Sequence, residues 1–113
     1  MISLPSVAVV ILNWNGKPFL EKFLPFVLES TYNNFSVFVA DNASDDDSVD
    51  FLKKNYPGVK IILSNINEGF AKGYNTALQQ VSADYYILLN SDVEVTAGWI
   101  EPVISLPMLT CAH

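Results

Sequence analysis

Apolar residues in this chain fall into short continuous runs that alternate with helical stripes. Val7-Ala8-Val9-Val10-Ile11-Leu12 is a β-branched and aliphatic run with polar residues on both sides, the pattern of a strand covered on both faces. Phe19, Leu20, Phe23, Leu24, Val27 and Leu28 then recur with a helical period; Pro18 suits a first-turn position, and Pro25 is expected to kink this helix or end its regular part. Phe35-Ser36-Val37-Phe38-Val39-Ala40 reads as a second strand that delivers Asp41 to its C-terminal end. In the acid-rich turn that follows, Ser44 and Asp47 have capping-box spacing, ahead of a helix with Val49, Leu52 and Tyr56 on one face and a stop at Pro57-Gly58.

The pattern then repeats. Lys60-Ile61-Ile62-Leu63 is a short third strand, Ala71, Tyr74, Ala77, Leu78 and Val81 mark a third helix, and Tyr85-Tyr86-Ile87-Leu88-Leu89 is a fourth strand ending at Asn90-Ser91-Asp92. Thr96 is placed to cap a short last helix containing Trp99 and Ile100, limited by Pro102 and Pro107. Strict alternation of strand and helix predicts an α/β fold: an open, mostly parallel sheet with right-handed crossovers and helices on both faces. Ligands of such sheets sit outside the C-terminal strand ends, near the point where strand order reverses. Residues 13–16, 41–45, 64–69 and 90–94 are therefore where chemistry is expected.

Composition narrows the classes. A chain of 113 residues, half of them hydrophobic and 16% charged, has room for one domain and enough apolar surface to fold. Six lysines, no arginine and twelve acids give a formal charge of −6, which argues against a nucleic-acid or anionic-membrane surface. An anionic ligand would need positive charge from a metal ion or from backbone N–H groups. Cys111 is the only cysteine, so neither an intrachain disulfide nor a cysteine-rich zinc site is available, and His113, the lone histidine, is not a candidate catalyst. With no signal-peptide pattern and no apolar run of bilayer length, a cytoplasmic location is the default.

All four strand ends are rich in Asn, Asp and Gly, and ordinary turn chemistry accounts for any one of them alone. Asn13-Trp14-Asn15-Gly16-Lys17 lacks the three-glycine fingerprint of dinucleotide folds, and no Walker-type phosphate loop occurs. Trp14 reads as packing over a strand-end pocket or the core, with stacking on a flat ligand as the alternative. Asp45, Asp46 and Asp47 are read as serving a helix dipole, which leaves Asp46 and Asp47 out of the site.

Four segments taken in order carry a resemblance: the strand into Asn13-Trp14-Asn15, Val39-Ala40-Asp41-Asn42-Ala43-Ser44-Asp45-Asp46, Asn67-Glu68-Gly69-Phe70-Ala71-Lys72-Gly73-Tyr74-Asn75, and Leu88-Leu89-Asn90-Ser91-Asp92-Val93-Glu94. Together, over about residues 5–106, they resemble the inverting family-2 glycosyltransferases of the GT-A, Rossmann-like fold. The resemblance implies that Asp41 hydrogen-bonds the base of a nucleotide-diphosphate sugar and that Asp92 holds a divalent cation, Mg²⁺ or Mn²⁺, on the donor diphosphate. Asn90 stands where the family usually has the first Asp of Asp-x-Asp, and would meet ribose or a water of the cation. Asn13, Asn15, Asn67, Gly69 and Lys72 would complete the donor site, with Lys72 either near the diphosphate or simply solvated; Glu94 is read as solvated.

Transfer to a hydroxyl of a saccharide or lipid-linked acceptor also needs a base. The resemblance places it beyond residue 113, so residues 1–113 are expected to be the N-terminal donor-binding portion of a catalytic domain, with little activity alone. Open sheet edges would favour self-association. The location would be cytoplasmic, with peripheral contact at the inner membrane surface admitted. Two other readings stay open: a flavodoxin-like or receiver-like Mg²⁺-binding signalling domain, and an interaction module without catalysis.

Overall fold

The computed structural model describes residues 4–104, with Phe70 by its backbone only; Pro107, Cys111 and His113 lie outside the described residues. Eight elements alternate: β1 (Val7–Asn13), α1 (Lys17–Leu28), β2 (Phe35–Asn42), α2 (Ser48–Asn55), β3 (Lys60–Ser64), α3 (Phe70–Leu78), β4 (Tyr85–Asn90) and α4 (Ile100–Ile104). The four strands form one sheet in the order β3-β2-β1-β4, and every pairing is parallel. The chain therefore steps from β1 outward to β3 and returns across the sheet to lay β4 on the other side of β1. That reversal makes the β1/β4 boundary the switch point. A flavodoxin-like or receiver-like sheet would instead set β3 beside β1, so that reading does not fit the strand order.

β1 is central, and its apolar run is buried because both faces are covered. Val7, Val9 and Ile11 join Leu20, Leu24 and Val27 of α1, Leu52 of α2 and Ile100 of α4 in one core. Ala8 and Val10 face the other way, into a smaller core with Ala40 of β2 and Tyr74 and Ala77 of α3. Each fully buried aliphatic side chain contributes about 1.5–3 kcal/mol by leaving water. Alanines at 8, 40 and 77 let α3 lie close to the sheet, with Tyr74 the large residue of this core. A Cβ on Gly73 would stand 3.0 Å from Leu12 Cδ1 and 3.4 Å from Asn42 Nδ2, so glycine permits that approach.

Several local expectations change. Helix α1 continues through Pro25 to Leu28, and Pro25 O still accepts from Glu29 N at 3.1 Å. There is no Ser44–Asp47 capping box: α2 begins at Ser48 behind Asp47, which makes no side-chain cap bond, and Ser44 turns back toward Asp41. Helix α3 ends at Leu78, with Val81 buried just past it. Trp99 precedes α4 rather than lying in it; its N–H donates to Thr96 O at 3.2 Å and its indole N–H to Ser30 Oγ at 2.6 Å.

Candidate donor-binding site

The parallel register brings the chemistry-bearing strand ends to one edge. Asn13 is opposite Asp41 across the β1/β2 pair, and Leu12 is opposite Asn90 across β1/β4. Asp41 and Asn90 thus flank the end of β1 at about 10 Å, two interstrand spacings. Asp92 follows two residues beyond Asn90 on the same edge.

Asp41 is 3% exposed, and its carboxylate is held by three donors. Oδ1 accepts from Asn13 Nδ2 at 3.0 Å and from the Ser44 hydroxyl at 2.7 Å, while Oδ2 accepts from Ser44 N at 3.0 Å. The last two bonds close a tight turn of the kind Asp favours, through Ala43 at a φ of 60°. A carboxylate oxygen accepts about two hydrogen bonds, so Oδ1 is filled and Oδ2 keeps one position. The Asn13 amide is wholly buried; its nitrogen serves Asp41 and Ser44 Oγ, and its Oδ1 has no hydrogen-bond partner among the described residues. A Cβ on Gly16 would stand 2.5 Å from that oxygen and 3.2 Å from Ser91 Oγ, so the absent side chain lets the ends of β1 and β4 close together.

Asn15 sits at a φ of 50°, a conformation asparagine tolerates. Its backbone N–H donates to Ser44 Oγ at 2.9 Å, and its Oδ1 accepts from Asp45 N at 2.6 Å and Asp46 N at 3.2 Å. Its side chain therefore braces the acidic turn. Asp46 in turn accepts from Ser48 N at 3.0 Å and from Lys17 N at 3.2 Å. Partial burial pushes the Asp46 carboxyl up, but the hydrogen bonds from Ser48 and Lys17 outweigh it and hold the group below its usual 3.8. Lys17 pairs with Asp47 at 3.2 Å, which together with Glu21 raises the lysine above 10.5. A hollow of about 500 Å³ lies among Asn15, Lys17 and Asp45 to Asp47, where Asn15 Oδ1, Asp46 and the Lys17–Asp47 pair are already engaged with one another or with neighbouring backbone.

Asn42, 3% exposed, pins the third strand end. Its Nδ2 donates to Asn67 Oδ1 at 2.7 Å and to Gly69 O at 3.3 Å, and its Oδ1 accepts from Glu68 N at 3.0 Å. Asn67 Oδ1 also accepts from Gly69 N at 2.8 Å. Gly69 starts α3 at φ 80° and ψ −179°, a region essentially restricted to glycine. Lys72 is 72% exposed and pairs with Glu68 at 3.6 Å.

At the switch point, Leu12, Trp14, Phe19, Asn90, Ser91 and Asp92 line an open groove of about 290 Å³. Trp14 is 54% exposed, which removes the core as its place. Behind the groove the buried Tyr74 phenol donates to Leu89 O at 2.8 Å and lies 3.5 Å from Asn90 Oδ1. Sequence reasoning gave Asn42, Ser91 and Tyr74 no place in the site and read Ser44 as half of a capping box. The pairing of Ser44 with Asp41 carried a readable signal, an Asp followed three residues later by a hydroxyl.

Strand order and the polar strand ends at the switch point define an α/β domain of the Rossmann-like class. The family model for glycosyl transferase family 2 matches residues 8–106, and the chain belongs to that family. It is 29% identical over 112 residues to an N-acetylglucosaminyl-diphospho-decaprenol L-rhamnosyltransferase of Mycobacterium tuberculosis, covering 89% of this chain and 36% of the relative. It is 26% identical over 114 residues to a GalNAc(5)-diNAcBac-PP-undecaprenol beta-1,3-glucosyltransferase of Campylobacter jejuni, covering 97% and 37%. The chain spans about a third of the length of such curated relatives. Among solved structures, it superposes on a Pyrobaculum calidifontis mannosyltransferase in complex with GDP-Man and Mn²⁺ with a TM-score of 0.73 at 24% identity, covering 81% of this chain and 29% of that one. S. aureus TarS 1-349 in complex with UDP gives 0.79 at 19%, covering 88% and 31%. These likenesses establish the fold. No helix among the described residues is long and apolar enough to cross a membrane.

Proposed function

We propose that this chain grips the nucleoside diphosphate of a nucleotide-sugar donor and forms the donor-binding portion of a glycosyltransferase acting on an acceptor hydroxyl with inversion. One observation carries the reading: Asp41 is buried at a strand end, oriented by Asn13 and Ser44, with one acceptor position of Oδ2 left over. An ionised carboxylate only accepts, so its complement is a ring N–H of uracil, thymine or guanine. The half-exposed Trp14 indole offers a flat face for the base. The diphosphate then runs toward Asn90 and Asp92, with the Gly69 backbone and Lys72 on its flank and Asn67 and Asn15 holding the loops.

Phosphate charge needs a partner that this chain, at −6 and without arginine, does not supply in quantity. Asp92 is an exposed carboxylate in the groove, with the Asn90 amide beside it, and the described residues contain no ready-made group of three or more metal-ligating side chains. Few hard oxygen donors, leaving positions for phosphate, suit Mg²⁺ or Mn²⁺ bound together with its substrate. When bound, such a cation stabilises the charge developing on the departing diphosphate. The acceptor's proton is assigned to none of the described residues. A saccharide or lipid-linked acceptor follows from the names of the relatives, two of which act on diphospho-polyprenol substrates. That acceptor class suits a cytoplasmic protein peripheral to the inner membrane face. Self-association would use the open edges at β3 and β4.

The test is a thermal-shift screen with UDP-, dTDP- and GDP-sugars, with and without Mn²⁺, on the wild type and Asp92→Ala. Ligand at 100 times its Kd stabilises by about 2.7 kcal/mol. One donor class is expected to do so, with loss of the effect when Mn²⁺ is omitted or Asp92 is replaced. Stabilisation indifferent to both changes would refute the cation site.

A further inference from the structure

We infer that Tyr74 is a positioning residue which turns the Asn90 amide so that its carbonyl oxygen, rather than its nitrogen, faces the groove beside Asp92. The inference deepens the donor-site reading and rests on it. A phenol has one proton to donate. In Tyr74 that proton is committed to Leu89 O at 2.8 Å, inside the small core that α3 forms on the sheet. Asn90 Oδ1 at 3.5 Å from the same phenol oxygen is thus opposed by a lone pair. Rotating the amide by half a turn replaces that opposition with an Nδ2–H donation to the phenol oxygen. The two ends of an amide are nearly equal in size, so hydrogen bonding decides between them.

The consequence lies on the groove side. Asn90 lines the groove with Ser91 and Asp92. In the turned state it offers an acceptor oxygen next to the Asp92 carboxylate, which suits a hard cation or a water of its shell. An N–H₂ group there would repel a cation. Tyr74 thereby lets asparagine serve beside Asp92 in a position where a carboxylate, with oxygen at both ends, needs no such orientation.

Nuclear magnetic resonance on the free chain tests the orientation directly. The Asn90 Nδ2 protons are expected to shift and exchange faster in Tyr74→Phe, with backbone spectra otherwise preserved; side-chain signals that ignore the substitution would overturn the inference. Mn²⁺ binding in the presence of UDP or GDP, followed by electron paramagnetic resonance, gives a second readout. Tyr74→Phe is expected to weaken Mn²⁺ about tenfold, as loss of a residue that orients a ligand does. In an Asn90→Asp background the same substitution should have almost no effect. An equal loss in both backgrounds would mark Tyr74 as merely structural and sink the proposal. Wild-type-like Mn²⁺ affinity in Asp92→Ala would instead refute the cation site itself, a result separate from the amide signals.

Discussion

Asn13 and Asp41 are partners twice over: they stand opposite each other in the β1/β2 register, and the Asn13 amide donates to Asp41 Oδ1 at 3.0 Å in a buried setting. Two side chains 28 residues apart thus form one polar unit at the centre of the sheet's C-terminal edge. Ser44 locks the unit from the other side, so Asp41 is held before any ligand arrives.

Asp41→Asn tests that unit. The amide keeps the shape but turns one acceptor into a donor, which must face Asn13 Nδ2 and the Ser44 hydroxyl or the Ser44 N–H. A buried donor left without a partner costs about 1–3 kcal/mol. Urea denaturation should show that loss, together with loss of donor-induced stabilisation. Unchanged stability would mean that the turn does not depend on the carboxylate.

Gly16→Ala addresses the closure of β1 against β4. Its new methyl would meet Asn13 Oδ1 at 2.5 Å, whereas one on Gly58 would meet nothing within 4 Å among the described residues. Overpacking of this kind costs about 1–3 kcal/mol. The melting temperature should fall for Gly16→Ala and stay near wild type for Gly58→Ala; equal behaviour would refute the close approach.

Asp46 contributes a pH dependence. Its folded-state carboxyl is held below 3.8 by the Ser48 and Lys17 hydrogen bonds, against the opposing effect of partial burial. Its contribution is therefore present above the unfolded value and lost as pH falls through the lower, folded one. The stability gap between wild type and Asp46→Asn should be widest near neutrality and close below about pH 4. A gap that did not narrow as pH fell into the acid range below 3.8 would contradict the assignment.

Trp14 reports on the base. Trp99 is anchored on Ser30 and partly buried, while Trp14 is 54% exposed beside the groove. Nucleotide with Mn²⁺ should quench fluorescence in the wild type and in Trp99→Phe, but not in Trp14→Phe. Quenching that survives Trp14→Phe would remove the stacking contact.

Much of this molecule is legible along the chain because its strands are unbroken β-branched runs and its helices carry regular stripes. Val7 to Leu12 reads as a doubly covered strand, and the polar segments that follow the four apolar runs fall at strand ends. The Ser44–Asp47 spacing misled for a local reason. A hydroxyl that has both a helix start and a carboxylate within reach takes the carboxylate when the intervening turn places it there, and here Asp41 is three residues back.

The alternation of elements, the parallel class of the sheet and the identities of Asp41, Asn90 and Asp92 as strand-end groups were thus determined by local pattern alone, since burial periodicity and turn chemistry act over a few residues. Only the tertiary structure decided which strand end lies beside which, that Asn13 is spent on Asp41, that Asn42 holds the 67–69 loop, and that Tyr74 reaches Asn90. Those pairings depend on strand order and register, and hydrogen-bond partners brought together from distant positions leave no periodic trace in the sequence.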